Sequence, residues 1–224
     1  MADLRVIEIF DSLQGEGYWT GTPMTFVRLA GCNAPDLGLD CVRWCDTPGS
    51  WDPLCGELLS AAAIVERARF PRLCLTGGEP LLQAEGVAEL VAEAHRRGLR
   101  MHLETNGTIA PPSAAAGSAE GSDADGSDES EAFDWTVVSP KPPAYRVAPE
   151  WEGLIDELKL VVDPAMDAVT AERLAGEHRG AIVSIQPQWE GGAGGGSRDR
   201  AVRLVLEHSD WRLSLQTHKF LGIR

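Results

Sequence analysis

Positive charge is scarce in this chain. Its 224 residues carry 20 Lys and Arg against 34 Asp and Glu, a formal net charge of −14, so a phosphate backbone is not the default partner. Half of the excess is local: seven acids and no Lys or Arg lie between Pro111 and Asp134, which leaves −7 for the remainder. Only three residues are lysine, Lys141 among them. Long apolar runs are missing as well. None approaches the length of a membrane span, and Asp3, Arg5 and Glu8 interrupt the first stretch, so no secretory leader is expected. The expectation is one soluble, cytoplasmic domain spanning residues 1–224, large enough to bury a substantial core. Cysteine is sparse too, at five residues, too few for a disulfide scaffold.

Three of the five cysteines nevertheless fall in one loop. The stretch Arg28 to Thr47 reads RLAGCNAPDLGLDCVRWCDT and places Cys32, Cys41 and Cys45 behind an apolar strand. An odd number of clustered thiols suits a metal centre better than disulfide pairing, and soft thiolates select zinc, copper(I) or an iron–sulfur cluster. A closed structural zinc site needs four ligands, whereas three thiolates on a four-iron cluster leave one iron open for chemistry. Cys55 and Cys74 have no partner at ligand spacing.

Around this loop the pattern alternates. Residues 6–10 and 24–29 read as strands separated by the turn-rich DSLQGEGYWTGTP. A helix is expected over Leu58 to Phe70, then a strand over Arg72 to Thr76 leading into TGGEP. A second helix is expected over Gln83 to Arg97, stopped by Gly98, and a strand from Leu99 to Leu103 that ends in ETNGT. Residues 111–132 are low-complexity and acidic, an insertion with little to bury. Beyond it come strands at 135–139, 157–162, 181–186 and 211–216, with helices over roughly 164–177 and 198–208 and a glycine-rich loop at 191–196. Strand followed by helix, repeated, predicts a parallel sheet with covering helices. Functional groups then belong at the C-terminal ends of the strands, where all the motifs are expected.

Cys32, Cys41 and Cys45 with the closing WCDT resemble the cluster loop of the radical S-adenosylmethionine (SAM) superfamily, although their gaps of eight and three residues exceed the usual spacing. That resemblance implies a 4Fe-4S cluster whose open iron binds SAM and cleaves it to a 5′-deoxyadenosyl radical. TGGEP, from Thr76 to Pro80, is similar to the superfamily's glycine motif, with Gly77, Gly78 and Glu79 toward the methionyl amino group. Glu104, the trio Ser139, Pro140 and Lys141, and the run Gln186, Pro187, Gln188 and Trp189 end later strands and match SAM contacts. The implied fold is α/β, a partial open (β/α)6-type TIM barrel of about six parallel strands.

SLQGEG, FVRLAGCN, CDT and the terminal RLSLQTHKFLGIR together resemble the 7-carboxy-7-deazaguanine synthases of the 7-deazapurine route to queuosine, over nearly the whole chain. The resemblance implies SAM- and Mg²⁺-dependent ring contraction of 6-carboxy-5,6,7,8-tetrahydropterin, with release of ammonia and SAM regenerated. It places Leu13, Gln14, Gly15, Glu16, Arg28, Thr76, His218 and the α-carboxylate of Arg224 at the pterin, and Thr47 on Mg²⁺. The chemistry agrees: a guanidine-like edge needs acceptors such as Glu16, and a substrate carboxylate needs cations such as Arg28 and Mg²⁺. No general acid or base stands out. Implied partners are an electron donor such as a flavodoxin and a second copy in a homodimer, with no direct nucleic acid and no membrane. Two other readings share part of the pattern: an activase that makes a glycyl radical on a protein partner, and a zinc-stabilised binding module using the three cysteines with Asp40 or Cys55.

Overall fold

The computed structural model describes residues 2–112, 133–189 and 196–224; most of the acidic insertion and of the glycine-rich loop at 191–196 lie outside them. In chain order the elements are β1 (Leu4–Leu13), β2 (Pro23–Leu29), β3 (Glu57–Leu59), α1 (Ala61–Glu66), β4 (Arg72–Gly77), α2 (Ala84–Arg96), β5 (Arg100–Thr105), β6 (Trp135–Val138), β7 (Glu157–Val162), α3 (Ala168–Glu177), β8 (Ile182–Pro187), α4 (Gly196–Glu207), β9 (Arg212–Leu213) and α5 (Thr217–Leu221). The strands form one sheet in the order β3-β1-β2-β4-β5-β6-β7-β8-β9. From β2 to β9 every pairing is parallel, and β9 does not pair back to β3, so the barrel is partial and open.

Two strands run against the rest. β1 is antiparallel to β2 in a hairpin, with Leu13 opposite Pro23, and β3 is antiparallel to β1, with Leu4 opposite Leu59. The second pairing corrects the expected helix over Leu58 to Phe70. Leu58 and Leu59 are drawn into the sheet edge, and the helix begins only after Ser60, whose hydroxyl caps the Ala63 N–H at 3.3 Å. Pairing with a distant strand here overrides local helical spacing. The final strand is likewise shorter than expected, two residues of the 211–216 run.

Helices cover the outer face, where Val87, Leu90, Val91 and Ala94 of α2 meet Leu73, Leu75, Met101 and Leu103. Leu158, Leu160 and Val162 of β7 meet Ala171, Leu174, Ala201 and Leu204 of α3 and α4. Between β6 and β7 no α-helix is present; a turn of 3-10 helix at Pro149–Trp151 takes its place. Trp151 is buried in the first core and donates its indole N–H to the Ile109 carbonyl at 2.8 Å, so one large side chain does the covering that a helix does elsewhere.

Candidate active site

The C-terminal ends of the parallel strands surround a cavity of about 300 Å³, within the size range of a small-molecule site. Its lining gathers residues from both ends of the chain. Leu13, Gln14, Gly15, Glu16, Arg28, Thr76, His218 and Arg224 all face it, as do Gly77, Gly78, Glu104, Ser139, Lys141, Gln186, Pro187, Gln188 and Trp189, the three loop cysteines and Thr47. Of the residues that the family resemblance places at the site, Glu79 and Pro140 do not line it.

The QGEG loop enters from an unexpected side. Because β1 is antiparallel, its end lies where the parallel strands begin, and the loop plugs the barrel from below rather than joining the rim. Trp19 packs edge-on against His102 and Trp135, with Arg72 over its face at 4.8 Å. Tyr18 stacks on Trp135 at 5.0 Å. Above this aromatic plug, Gln14 and Glu16 form the cavity floor. Gln14 donates to Glu104 at 3.0 Å and accepts from the Glu16 N–H at 3.1 Å, while Thr76 donates to the other Glu104 oxygen at 3.2 Å. Glu104 therefore ties together two residues expected at the pterin.

Both chain ends meet here. Thr217 donates through its N–H and its hydroxyl to the Gly15 carbonyl, at 2.9 and 3.0 Å, and Ser214 accepts from the Gly17 N–H at 2.8 Å. His218 lies so close to Gly15 that any Cβ there would fall 2.0 Å from Nδ1, which explains the glycine. Arg28 lines the cavity while pairing through Nε with Glu8 at 2.9 Å, and the Arg224 guanidinium shares that carboxylate.

The cysteine loop lines the same cavity. Cys32, Cys41 and Cys45 are all free thiols. Burial pushes the Cys32 thiol up to about 11, with Glu79 and the other two sulfurs adding to the rise, and it raises Cys41 as well. Buried thiols of this kind lose their protons when a metal takes them. Cys45 accepts the Thr47 N–H at 3.4 Å, and the Thr47 hydroxyl stands 3.5 Å from Ser50 Oγ. Among the described residues no three His, Cys, Asp or Glu side chains close on one point as they would around a single ion. Three soft donors spread along one cavity wall fit a group that offers each sulfur its own iron.

Glu79 serves the frame instead of the cavity. Fully buried, its carboxylate accepts from Thr105 Oγ1 at 2.7 Å, the Asn106 N–H at 2.8 Å and the Leu81 N–H at 3.2 Å. Asn106 in turn donates to Asn33, the neighbour of Cys32, at 2.9 Å. Lys141 donates to Ser139 at 2.7 Å beside the Trp44 face; burial lowers its pKa, aided by the charge of Lys159.

Four residues passed over in the sequence belong to the site. Lys159 lines the cavity and pairs with Glu16 at 2.5 Å. Gln216 donates to Glu16 at 2.7 Å and to Asp46 at 3.2 Å, and Lys219 reaches Asp46 at 2.5 Å. The visible signal was the lysine count, since two of the chain's three lysines, Lys141 and Lys159, line the cavity and the third, Lys219, pairs with Asp46 on its lining.

With the geometry in place, comparison adds a lineage. No protein-family model matches the chain. It is 34% identical to a 7-carboxy-7-deazaguanine synthase of Synechocystis, over 98% of this chain and 93% of that one. It is 37% identical to the Bradyrhizobium diazoefficiens protein of the same name, over 98% of both. The fold matches a crystal structure of QueE from Escherichia coli with a TM-score of 0.71, covering 96% of this chain and 95% of that one at 23% identity.

Proposed function

The chain belongs to the 7-carboxy-7-deazaguanine synthase family, a family of radical SAM lyases, and from that premise we propose that it forms 7-carboxy-7-deazaguanine in the cavity between the QGEG loop and the cysteine loop. The substrate is 6-carboxy-5,6,7,8-tetrahydropterin, and ammonia leaves as the ring contracts. The observation that carries this reading is the junction of Gly15 with Thr217, which holds the two family-specific segments together on a cavity that three free cysteines also line.

In this reading Cys32, Cys41 and Cys45 hold a 4Fe-4S cluster. Ser139, Lys141 and the run from Gln186 to Trp189 hold SAM, and Thr47 contributes a hard oxygen to Mg²⁺. When bound, the cluster and SAM supply the radical that starts the rearrangement. The protein's own groups recognise and orient. Glu16 and Gln14 offer acceptors and an amide to the guanidine-like edge of the pterin, and Arg28 offers its guanidinium to the carboxylate. Glu104, held by Gln14 and Thr76, fixes the spacing between the pterin floor and the glycine motif. Cys74, whose thiol burial raises well above its ordinary range, lies beneath the floor and outside the cavity lining. An electron donor of the flavodoxin kind and a second copy of the chain complete the proposal.

Anaerobic reconstitution with iron and sulfide, followed by SAM, dithionite, Mg²⁺ and the carboxypterin, tests it. The expected result is the deazapurine with ammonia. Protein carrying its full iron and sulfide that binds the pterin and yields no deazapurine would overturn the reading.

A further inference from the structure

β7 reads Glu-Leu-Lys-Leu-Val-Val, and all six residues are buried. Side chains alternate along a strand. Leu158, Leu160 and Val162 enter the helix-covered core, which turns Glu157, Lys159 and Val161 to the barrel interior, where Lys159 and Val161 line the cavity. A lysine in the middle of a buried strand is strongly unfavourable unless it is paired. Its partner comes from 143 residues away: Lys159 Nζ donates to Glu16 Oε2 at 2.5 Å. On the same face of the strand, Glu157 accepts the Tyr18 N–H at 3.1 and 3.2 Å. β7 thus straps the QGEG loop at both ends of the segment from Glu16 to Tyr18.

An ionised carboxylate has about four lone-pair positions. Lys159 occupies one on Oε2, Gln216 one on Oε1 at 2.7 Å and Gln186 a third, which leaves one for a donor from the cavity. A carboxyl group at this depth would take up a proton if its partners were neutral, because burial disfavours the charge. Here burial is outweighed, and the Lys159 ammonium with hydrogen bonds from Gln216 and Gln186 holds Glu16 well below the usual carboxylate range. The other charged and titratable groups around it do not replace Lys159. Glu104 on β5 and Glu157 on β7 favour the lysine's charge, and Lys141 beyond β6 interacts with Glu16 through space alone. Cys74 on β4 is a neutral thiol, Asp46 reaches Glu16 only through Gln216, and His218 packs over Gly15.

We propose that Lys159 is a positioning residue for substrate recognition: it keeps Glu16 an anion with acceptor capacity left for a flat, donor-rich edge such as that of the carboxypterin. The inference rests on the cavity being the pterin site. It differs from that reading in naming a strand residue that acts through Glu16.

The test is calorimetric titration of the anaerobic, reconstituted protein with carboxypterin from about pH 6 to about pH 9, with infrared spectra of the same samples. Wild type is expected to bind with nearly constant affinity across this range, well above the ordinary carboxylate pKa. Lys159→Met is expected to bind about a hundredfold more weakly at the acid end, as for an uncompensated buried charge partner, and to recover as rising pH strips the proton from Glu16. Lys159→Gln, which keeps a donor without the charge, should show the same rising limb; Lys159→Arg should restore the flat profile. Adding Glu16→Gln to Lys159→Met should abolish the pH dependence, which a packing defect would not do. A Lys159→Met profile that runs parallel to wild type overturns the inference. If wild type fails to bind the pterin, the pterin reading fails and the infrared arm decides this one. Lys159→Met or Lys159→Gln should show a protonated carboxyl band at neutral pH that Glu16→Gln removes, and absence of that band overturns it.

Discussion

A Cβ placed on Gly78 would fall 2.6 Å from the Cβ of Cys32 and 2.2 Å from the Gly31 carbonyl oxygen. The glycine motif and the cysteine loop are therefore one packed unit, sealed further by the Glu79 N–H on the Gly31 carbonyl at 2.9 Å. The glycine that sequence reasoning reserves for close approach of a cofactor is needed first for close approach of the chain to itself.

Gly78→Ala should accordingly displace Cys32. Iron and sulfide bound per chain after reconstitution should fall to a minor fraction of wild type, and thermal unfolding should show a loss of about 1–3 kcal/mol, the usual consequence of overpacking. Gly49→Ala, where a Cβ would meet nothing within 4 Å, is the control and should leave both quantities unchanged. Wild-type iron content in the Gly78 variant would break the link between motif and loop.

Thr47→Ala separates two roles of one residue. Its backbone N–H donates to Cys45 at 3.4 Å and its hydroxyl stands 3.8 Å from the same sulfur, so the substitution retains the shorter hydrogen bond while deleting the hydroxyl. Iron and sulfide content should match wild type, whereas the stimulation of turnover by Mg²⁺ should shrink severalfold. A Mg²⁺ response identical to wild type would remove Thr47 from the metal site.

Much of this site was legible because its chemistry is local. Three cysteines in one loop, glycines after a strand and polar residues after later strands can be recognised without knowing what lies across from them. What was illegible is set by pairing between distant segments. Nothing in VIEIF states that β1 runs antiparallel, yet that direction puts the QGEG loop beneath the cavity and not on its rim. Leu58 and Leu59 carry helical spacing but are claimed by β1. Lys159 hid inside ELKLVV, whose apolar neighbours read as pure core, and its role appears only when Glu16 is brought to it. Asp46 likewise looked like part of the cysteine loop until α5 placed Lys219 beside it.

The aromatic plug predicts an acid-sensitive fold. Burial, with help from Arg72, pushes the His102 imidazole down to about 4 from 6.5, so the folded protein keeps it neutral where the unfolded chain would protonate it. The unfolded state then binds more protons, and stability falls as pH drops from about 6.5 toward 4. The shift corresponds to at most about 3 kcal/mol over that window. His102→Gln should flatten the pH dependence of the denaturant midpoint between those limits. An unaltered slope would mean that another group governs acid unfolding.

The ion pair between Lys219 and Asp46 predicts an effect on ligand exchange without a matching effect on stability. It joins α5 to the cysteine loop across the cavity mouth, and Lys219 also stands over the Trp189 face at 5.1 Å, with Phe220 edge-on to the same ring at 5.3 Å. Asp46 is about half exposed, and pairs so open to solvent contribute roughly 0–1 kcal/mol to folding. A latch matters by a different measure: breaking it lets the mouth open more often. Lys219→Met should leave the unfolding midpoint nearly unchanged while speeding dissociation of bound carboxypterin severalfold. Because salt screens exposed charges, raising ionic strength should speed release from wild type and leave the variant indifferent. Equal salt sensitivity in the two proteins would show that the pair is a surface contact and not a latch.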